Sequence, residues 1–268
     1  MLILLTALFF VLGAALGSFA CCQLWRIKKN DKSKWSHCMN CKYRLQWYDN
    51  IPVLSWLMLG GKCRKCRKPI GALEILSELG LGLCFSLVFL FWPWREAVIA
   101  GDPMEMLLIG IFCLLLTALC VAFLYDAKWK ELPIVALLSE VAIAVIYFLI
   151  RNASTDFAML SGTKEILDLL LALIVLPGFY FVLYKISGER WVGGGDYLLC
   201  IPIALILQKF WLSLFCLFVS NVLGCLIMVP FLTLTKKKDR QIPLGPFLIL
   251  GFIVVFLAQN FILEFVTF

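Results

Sequence analysis

An all-α polytopic membrane protein of about eight transmembrane helices is the fold class this sequence predicts, on three observations. The 268-residue chain is 63% hydrophobic and only 15% charged, where a soluble domain carries roughly 25% charge. Its mean hydropathy is +0.97. Apolar runs recur along it that reach the roughly 20 residues needed to cross a bilayer. In lipid such runs satisfy their backbone groups as helices.

The runs fall at about 2–25, 73–94, 105–125, 132–150, 165–184, 192–208, 210–232 and 244–264. No basic residue precedes the first and several follow it, so it reads as a retained helix inserted N-terminus outward, not a cleaved signal peptide. The sixth is short after Asp196, and the seventh follows almost at once. With the N-terminus outside, the loops at 26–72, 126–132, 185–191 and 233–245 face the cytosol and hold 20 of the 24 Lys and Arg residues. Arg95, Arg151, Lys164 and Lys209 are left for the other side. That asymmetry sets the orientation. The net charge of +7 is then a topology signal with some attraction to anionic lipid. It is not a reason to expect a nucleic-acid partner.

Residues 26–72 form the one long polar insert. They contain Cys38-x2-Cys41 and Cys63-x2-Cys66, with 21 residues between the pairs. Such spacing suits one tetrahedral four-cysteine zinc site. Thiols in the cytosol stay reduced, which favours metal over disulfides. Four thiolates leave no open position, so the zinc is expected to be structural. The alternatives are four unrelated thiols, or His37 replacing one cysteine. Basic residues around the thiols are expected to favour the thiolate form. Between the pairs, Trp47 to Leu57 is aromatic and broken by Pro52, as suits the membrane interface. The other eight cysteines read as small core residues. The expected organisation is a first transmembrane helix (1–25), a cytosolic four-cysteine zinc-binding loop domain (26–72) and a transmembrane bundle (73–268).

Carboxylates at membrane depth are functional candidates, because the charge is costly there. Of the 17 acids, Glu96, Asp102, Glu105, Asp156, Glu165 and Asp168 lie near outer loops or helix starts. They read as solvated or capping residues. Glu264 lies near the outer end of the last span, and Glu140 within the fourth is a bundle-facing acid with no assigned work. Two acids stand apart. Asp126 ends the third span, and Asp196 follows Gly193-Gly194-Gly195 and opens the sixth. Both are expected at the cytosolic boundary. Three glycines before an acid allow close backbone approach and unusual dihedrals, and the acid would face a helix N-terminus. Two nearby carboxyls share a proton. One then acts as base on a water, while the other donates to a scissile carbonyl. Singly, Asp126 reads equally well as a loop acid and Asp196 as an N-cap; together they favour a dyad.

From about Gly17 to Gly251 the chain resembles the type IV prepilin peptidase family. Gly17-Ser18-Phe19 with Arg26 resembles the family's opening motif. The cysteine pairs flank Trp47-Tyr48-Asp49-Asn50-Ile51-Pro52-Val53-Leu54-Ser55-Trp56, very close to the family pattern. Asp126, seven residues before Pro133, resembles the first catalytic motif, and Gly193 to Asp196 the GxGD motif. Ile242-Pro243-Leu244-Gly245-Pro246-Phe247 resembles a late signature. The resemblance implies an aspartyl endopeptidase of the bacterial inner membrane that cleaves basic leaders from prepilins or pseudopilins at the cytosolic face. Asp126 and Asp196 would be its dyad. It also implies S-adenosylmethionine-dependent methylation of the new N-terminus, involving the cytosolic loop. Pilus, competence and type II secretion subunits are the implied substrates. Zinc on Cys38, Cys41, Cys63 and Cys66 agrees with the family. Glu78, which keeps an expected glutamate, is the candidate cofactor residue. The chain departs from the family pattern at Cys21, Met39, Leu73-Glu74, Lys128, Ile134 and Leu198. The rival readings are a peptidase without methyl transfer, and a non-catalytic transporter or scaffold with a zinc-ordered loop.

Overall fold

The computed structural model describes residues 1–30, 35–153, 162–235 and 243–267. Asp156, Ile242 and the basic residues at 32, 34, 236–238 and 240 lie outside them. The described residues are helical with no β-strand, apart from two isolated bridges. In order the helices are α1 (Leu2–Lys29), α2 (Leu54–Met58), α3 (Ala72–Leu90), α4 (Arg95–Ala100), α5 (Pro103–Trp129), α6 (Ile134–Ala153), α7 (Thr163–Ser187), α8 (Gly194–Leu207), α9 (Phe210–Thr235), α10 (Gly245–Leu257) and α11 (Gln259–Thr267). Six are long and apolar enough to cross a membrane, and α10 with α11, bent by 70°, forms a broken span or a re-entrant loop. The expected span at 192–208 is the 14-residue α8, whose roughly 21 Å falls short of a bilayer core.

Helices gather into two compact units, Met1–Ile99 and Ala100–Phe268. In the first, α1 and α3 pack antiparallel through small residues. A β-carbon on Gly13 would lie 2.6 Å from the Leu81 carbonyl oxygen, and one on Gly17 would collide with that of Ser77. Without a hydrophobic drive between helices in lipid, close backbone approach of this kind holds them together. Phe9 stacks on Phe89 at 4.7 Å, and the Ser86 hydroxyl donates to the Thr6 carbonyl.

In the second unit, α5 and α6 form a hairpin. Asp102 caps α5, accepting the Met104 N–H at 3.1 Å. Glu105, expected to be solvated or capping, is instead buried and pairs in two-pronged fashion with Arg151 of α6 at 2.5 and 3.0 Å. The pair satisfies two charges that the surrounding apolar side chains would otherwise exclude. Phe112 of α5 stacks on Phe256 of α10 at 4.4 Å. Tyr197 of α8 packs against Phe181 and Tyr184 of α7. Both α5 and α8 pack against α6 and α10, which brings the candidate acids at the end of α5 and the start of α8 to common neighbours.

Candidate functional site

The cysteine cluster is built from two copies of one turn. In the first, the Cys38 N–H donates to the Tyr43 carbonyl and the Lys42 N–H to the Cys38 carbonyl, each at 2.9 Å. In the second, the Cys63 N–H donates to Lys68 and the Arg67 N–H to Cys63, also at 2.9 Å. Lys42 and Arg67 take the same left-handed conformation, with φ of 58° and 57°. Each turn thus points two sulfurs inward. The four Sγ atoms lie within 4.8 Å of one another, with Cys38–Cys66 at 3.8 Å and Cys41–Cys63 at 4.0 Å. Sulfurs held about 2.3 Å from a tetrahedral zinc would be about 3.8 Å apart. The cluster could hold a metal ion. His37 stands outside it, with Nδ1 3.3 Å from the Trp35 carbonyl.

Cys66 shows what a metal would add. The Lys68 N–H lowers its pKa, but desolvation and the three other thiols together push it up to about 11. Among these main causes no Lys or Arg side chain lowers it towards the thiolate range. A coordinated dication would.

The second cluster joins acids from different helices. Asp126, in the last turn of α5, is 5% exposed; Asp196, in the first turn of α8, is 7% exposed. Asp126 Oδ2 accepts the N–H of Gly245, the first residue of α10, at 2.9 Å. A β-carbon at 245 would lie 2.8 Å from that oxygen, so only glycine permits the contact. Asp196 Oδ2 accepts the Gly193 N–H at 2.9 Å. The two carboxyls lie within coulombic range of one another. The glycine run works through proximity and not through unusual dihedrals. Gly193 has an ordinary extended φ of −77°, and a β-carbon on Gly195 would meet Leu132 at 2.8 Å.

Glu140 is fully buried in α6, and neither carboxyl oxygen has a hydrogen-bond partner among the described residues. Glu78, in α3, is also buried. Its Oε2 accepts the Val53 N–H at 2.7 Å. Val53 has φ 62° and ψ −51°, and the Leu54 N–H donates to the Pro52 carbonyl at 2.6 Å. That is a γ-turn of the strained, positive-φ kind, on a β-branched residue that strongly disfavours it. Glu78 therefore clamps a strained loop.

A cavity of about 370 Å³ lies between the last turns of α1, the two cysteine turns and the start of α3. Glu74 lines it, one helical turn before Glu78, and Glu78 does not. Sequence reading passed over Glu74 as a departure from the family pattern.

These features define a polytopic membrane protein with a four-cysteine insert that could hold a metal ion and a pair of buried carboxyls at helix ends. The family pattern described as the bacterial peptidase A24 N-terminal domain matches residues 11–92. The prepilin leader peptidase/N-methyltransferase of Vibrio cholerae serotype O1 is 26% identical over 94% of this chain and 96% of its own length. That of Dichelobacter nodosus is 27% identical over 83% of this chain and 70% of its own. The type 4 prepilin-like proteins leader peptide-processing enzyme of Escherichia coli O78:H11 is 47% identical over 66 residues, 24% of each chain. No solved structure matches. Over most of its length the chain is thus similar to proteins named prepilin leader peptidase/N-methyltransferase.

Proposed function

We propose that this protein is a bifunctional membrane enzyme. It cleaves the leader of type IV prepilins or pseudopilins, then N-methylates the residue so exposed. Full-length similarity to proteins named for both activities supports the reading. The observation that carries the peptidase half is the pair of buried carboxyls, Asp126 and Asp196, on separate helices within coulombic range.

One carboxylate takes a proton from a water whose oxygen attacks the scissile carbonyl carbon. The other carboxyl gives its proton to the carbonyl oxygen. Collapse breaks the C–N bond, and a proton passes to the leaving amine. Each acid commits Oδ2 to a backbone N–H, which fixes the carboxyl plane and offers Oδ1 to the reaction. The methyl group comes from bound S-adenosylmethionine, with one S–C bond broken, one N–C bond formed and one proton released from the amine.

Zinc is the metal assigned to Cys38, Cys41, Cys63 and Cys66, in a structural role, since four thiolates close its coordination. The peptidase chemistry belongs to the bundle within Ala100–Phe268, and the zinc-binding segment, 26–72, to the first unit. The site of action is the cytosolic face of the bacterial inner membrane, supported by 20 of 24 basic residues on the loops of that side. A substrate there presents its leader where its own apolar helix leaves lipid.

Co-expression with a prepilin tests the reading. Wild type is expected to yield mature pilin carrying an added mass of about 14 daltons. Asp126→Asn and Asp196→Asn should each lower cleavage at least ~1,000-fold while the protein inserts and keeps its zinc. Full cleavage by either variant removes the dyad. Cleaved but unmethylated product would leave a peptidase alone, and no cleavage of any leader would leave a scaffold.

A further inference from the structure

We propose that the groove where α7, α9 and α10 meet is a lateral docking site that seats the apolar helix of the substrate beside the two aspartates. This deepens the peptidase reading above and rests on it.

The groove is a cavity of about 160 Å³ whose wall includes Tyr180 of α7, Asn221, Gly224 and Cys225 of α9, and Leu244 and Phe247 at the start of α10. A β-carbon on Gly224 would stand 3.6 Å from the Phe247 ring, so a bulkier side chain there would take up the space. Cys225 and Val229 also line the groove and are exposed on an apolar span, so it opens towards lipid. Its other flank reaches the acids. Leu244 precedes Gly245, whose N–H holds Asp126, and Tyr180 lies within coulombic range of Asp196.

The wall selects its occupant. No charged side chain is among the described residues that line it, so it offers nothing to a headgroup phosphate or to a basic leader. Its volume falls below the roughly 300–1,000 Å³ of sites that enclose a small molecule. It suits a few apolar side chains on one face of a helix. One polar pair interrupts the apolar surface. Asn221 Nδ2 donates to the Tyr180 hydroxyl at 2.9 Å and to the Leu217 carbonyl at 2.8 Å. Both amide hydrogens are thereby used. The tyrosine proton and Asn221 Oδ1 have no other partner among the described residues. A lipid tail cannot use that donor and acceptor, whereas a polar side chain on an incoming helix can, as between membrane helices generally. A helix seated in the groove ends beside Gly245. Its register there fixes which peptide bond meets the acids.

The test is photocross-linking in cells that co-express a prepilin with the full-length protein carrying Asp126→Asn, so that substrate is not consumed. Benzoylphenylalanine in place of Val229 should cross-link to the prepilin's apolar helix. The same group in place of Leu138, an exposed residue of α6, should not. Adducts from position 229 only to lipid or to a second copy of this chain, or equal prepilin adducts from both positions, would overturn the docking site. With both aspartates intact, Gly224→Leu should raise KM for the whole prepilin about tenfold or more and leave kcat near wild type. Tyr180→Phe should raise KM about threefold, the worth of one hydrogen bond between membrane helices. Wild-type KM in Gly224→Leu would overturn the groove and leave the peptidase reading standing. If Gly224→Leu fails to insert, the cross-link from the lipid-facing position decides. Wild-type cleavage by Asp126→Asn would remove the peptidase reading and the groove with it.

Discussion

The two clusters bring side chains together over very different lengths of chain. The cysteine site closes within 28 residues, between Cys38 and Cys66, and each half is a self-contained turn with its own pair of backbone hydrogen bonds. The acid site needs α5, α8 and α10, and its tie from Gly245 to Asp126 spans 119 residues. A local site carries its geometry in its own sequence and needs a ligand to draw it tight. A non-local site borrows its geometry from helix packing and needs no ligand, but any neighbouring helix can disturb it. The two should therefore fail differently.

Cys63→Ser is the sharpest way to separate them. It should take zinc from about one per chain to nearly none by elemental analysis. Structural metal sites lose folding energy with the metal, so the turns should open and methylation of a co-expressed prepilin should stop. Leader cleavage should fall by less than about tenfold, because the acids are held by the other unit's helices. If cleavage falls as far as in Asp126→Asn, the separation is wrong.

Gly245→Ala probes the other half of the comparison. The new methyl group would sit 2.8 Å from Asp126 Oδ2, so either α10 or the carboxyl must move. A displacement near 1 Å can cost about 100-fold in rate. Cleavage should drop on that order with zinc content intact, and Gly193→Ala should do less, since its β-carbon would stand 3.5 Å from Asp196 Oδ2. Equal losses in the two variants would argue against close approach as the reason for the glycine at 245.

The same contrast explains what could be read in advance. Composition marked the long helices, because lipid rewards any sufficiently apolar run. The CxxC pairs marked their cluster, because a knuckle turn is written in four residues. Hydropathy marked 192–208 as short after Asp196 yet still counted it a span; it stops at 14 helical residues, where Gln208 turns left-handed at φ 55° and α9 begins at once. Nor did it show the bend after α10, although the polar pair Gln259-Asn260 marks the place in an otherwise apolar run. The Glu105–Arg151 pair depends on which helices are neighbours, 46 residues apart, and a lone charge near a helix end carries no such information. Glu74 was legible as a residue but not as a cavity wall, because nothing in the spacing of α3 tells where the end of α1 lies.

The smallest expected effect lies where local strain and long-range anchoring meet. Glu78 holds Val53 in a conformation costing about 1–3 kcal/mol through one hydrogen bond to a buried carboxyl. Glu78→Gln keeps an acceptor of similar shape and loses only the charge. Hydrogen bonds to charged groups are worth about 1 kcal/mol more than neutral ones, so donor affinity should weaken several-fold, with cleavage and zinc unchanged. Glu78→Ala removes the acceptor altogether, so the Val53 turn should relax and the donor affinity fall further. Dialysis of S-adenosylhomocysteine against the two variants gives the order: Glu78→Gln the milder, Glu78→Ala the larger. If Glu78→Gln is as damaging as Glu78→Ala, then residue 78 acts through its charge at the donor itself, and the clamp is not its main role.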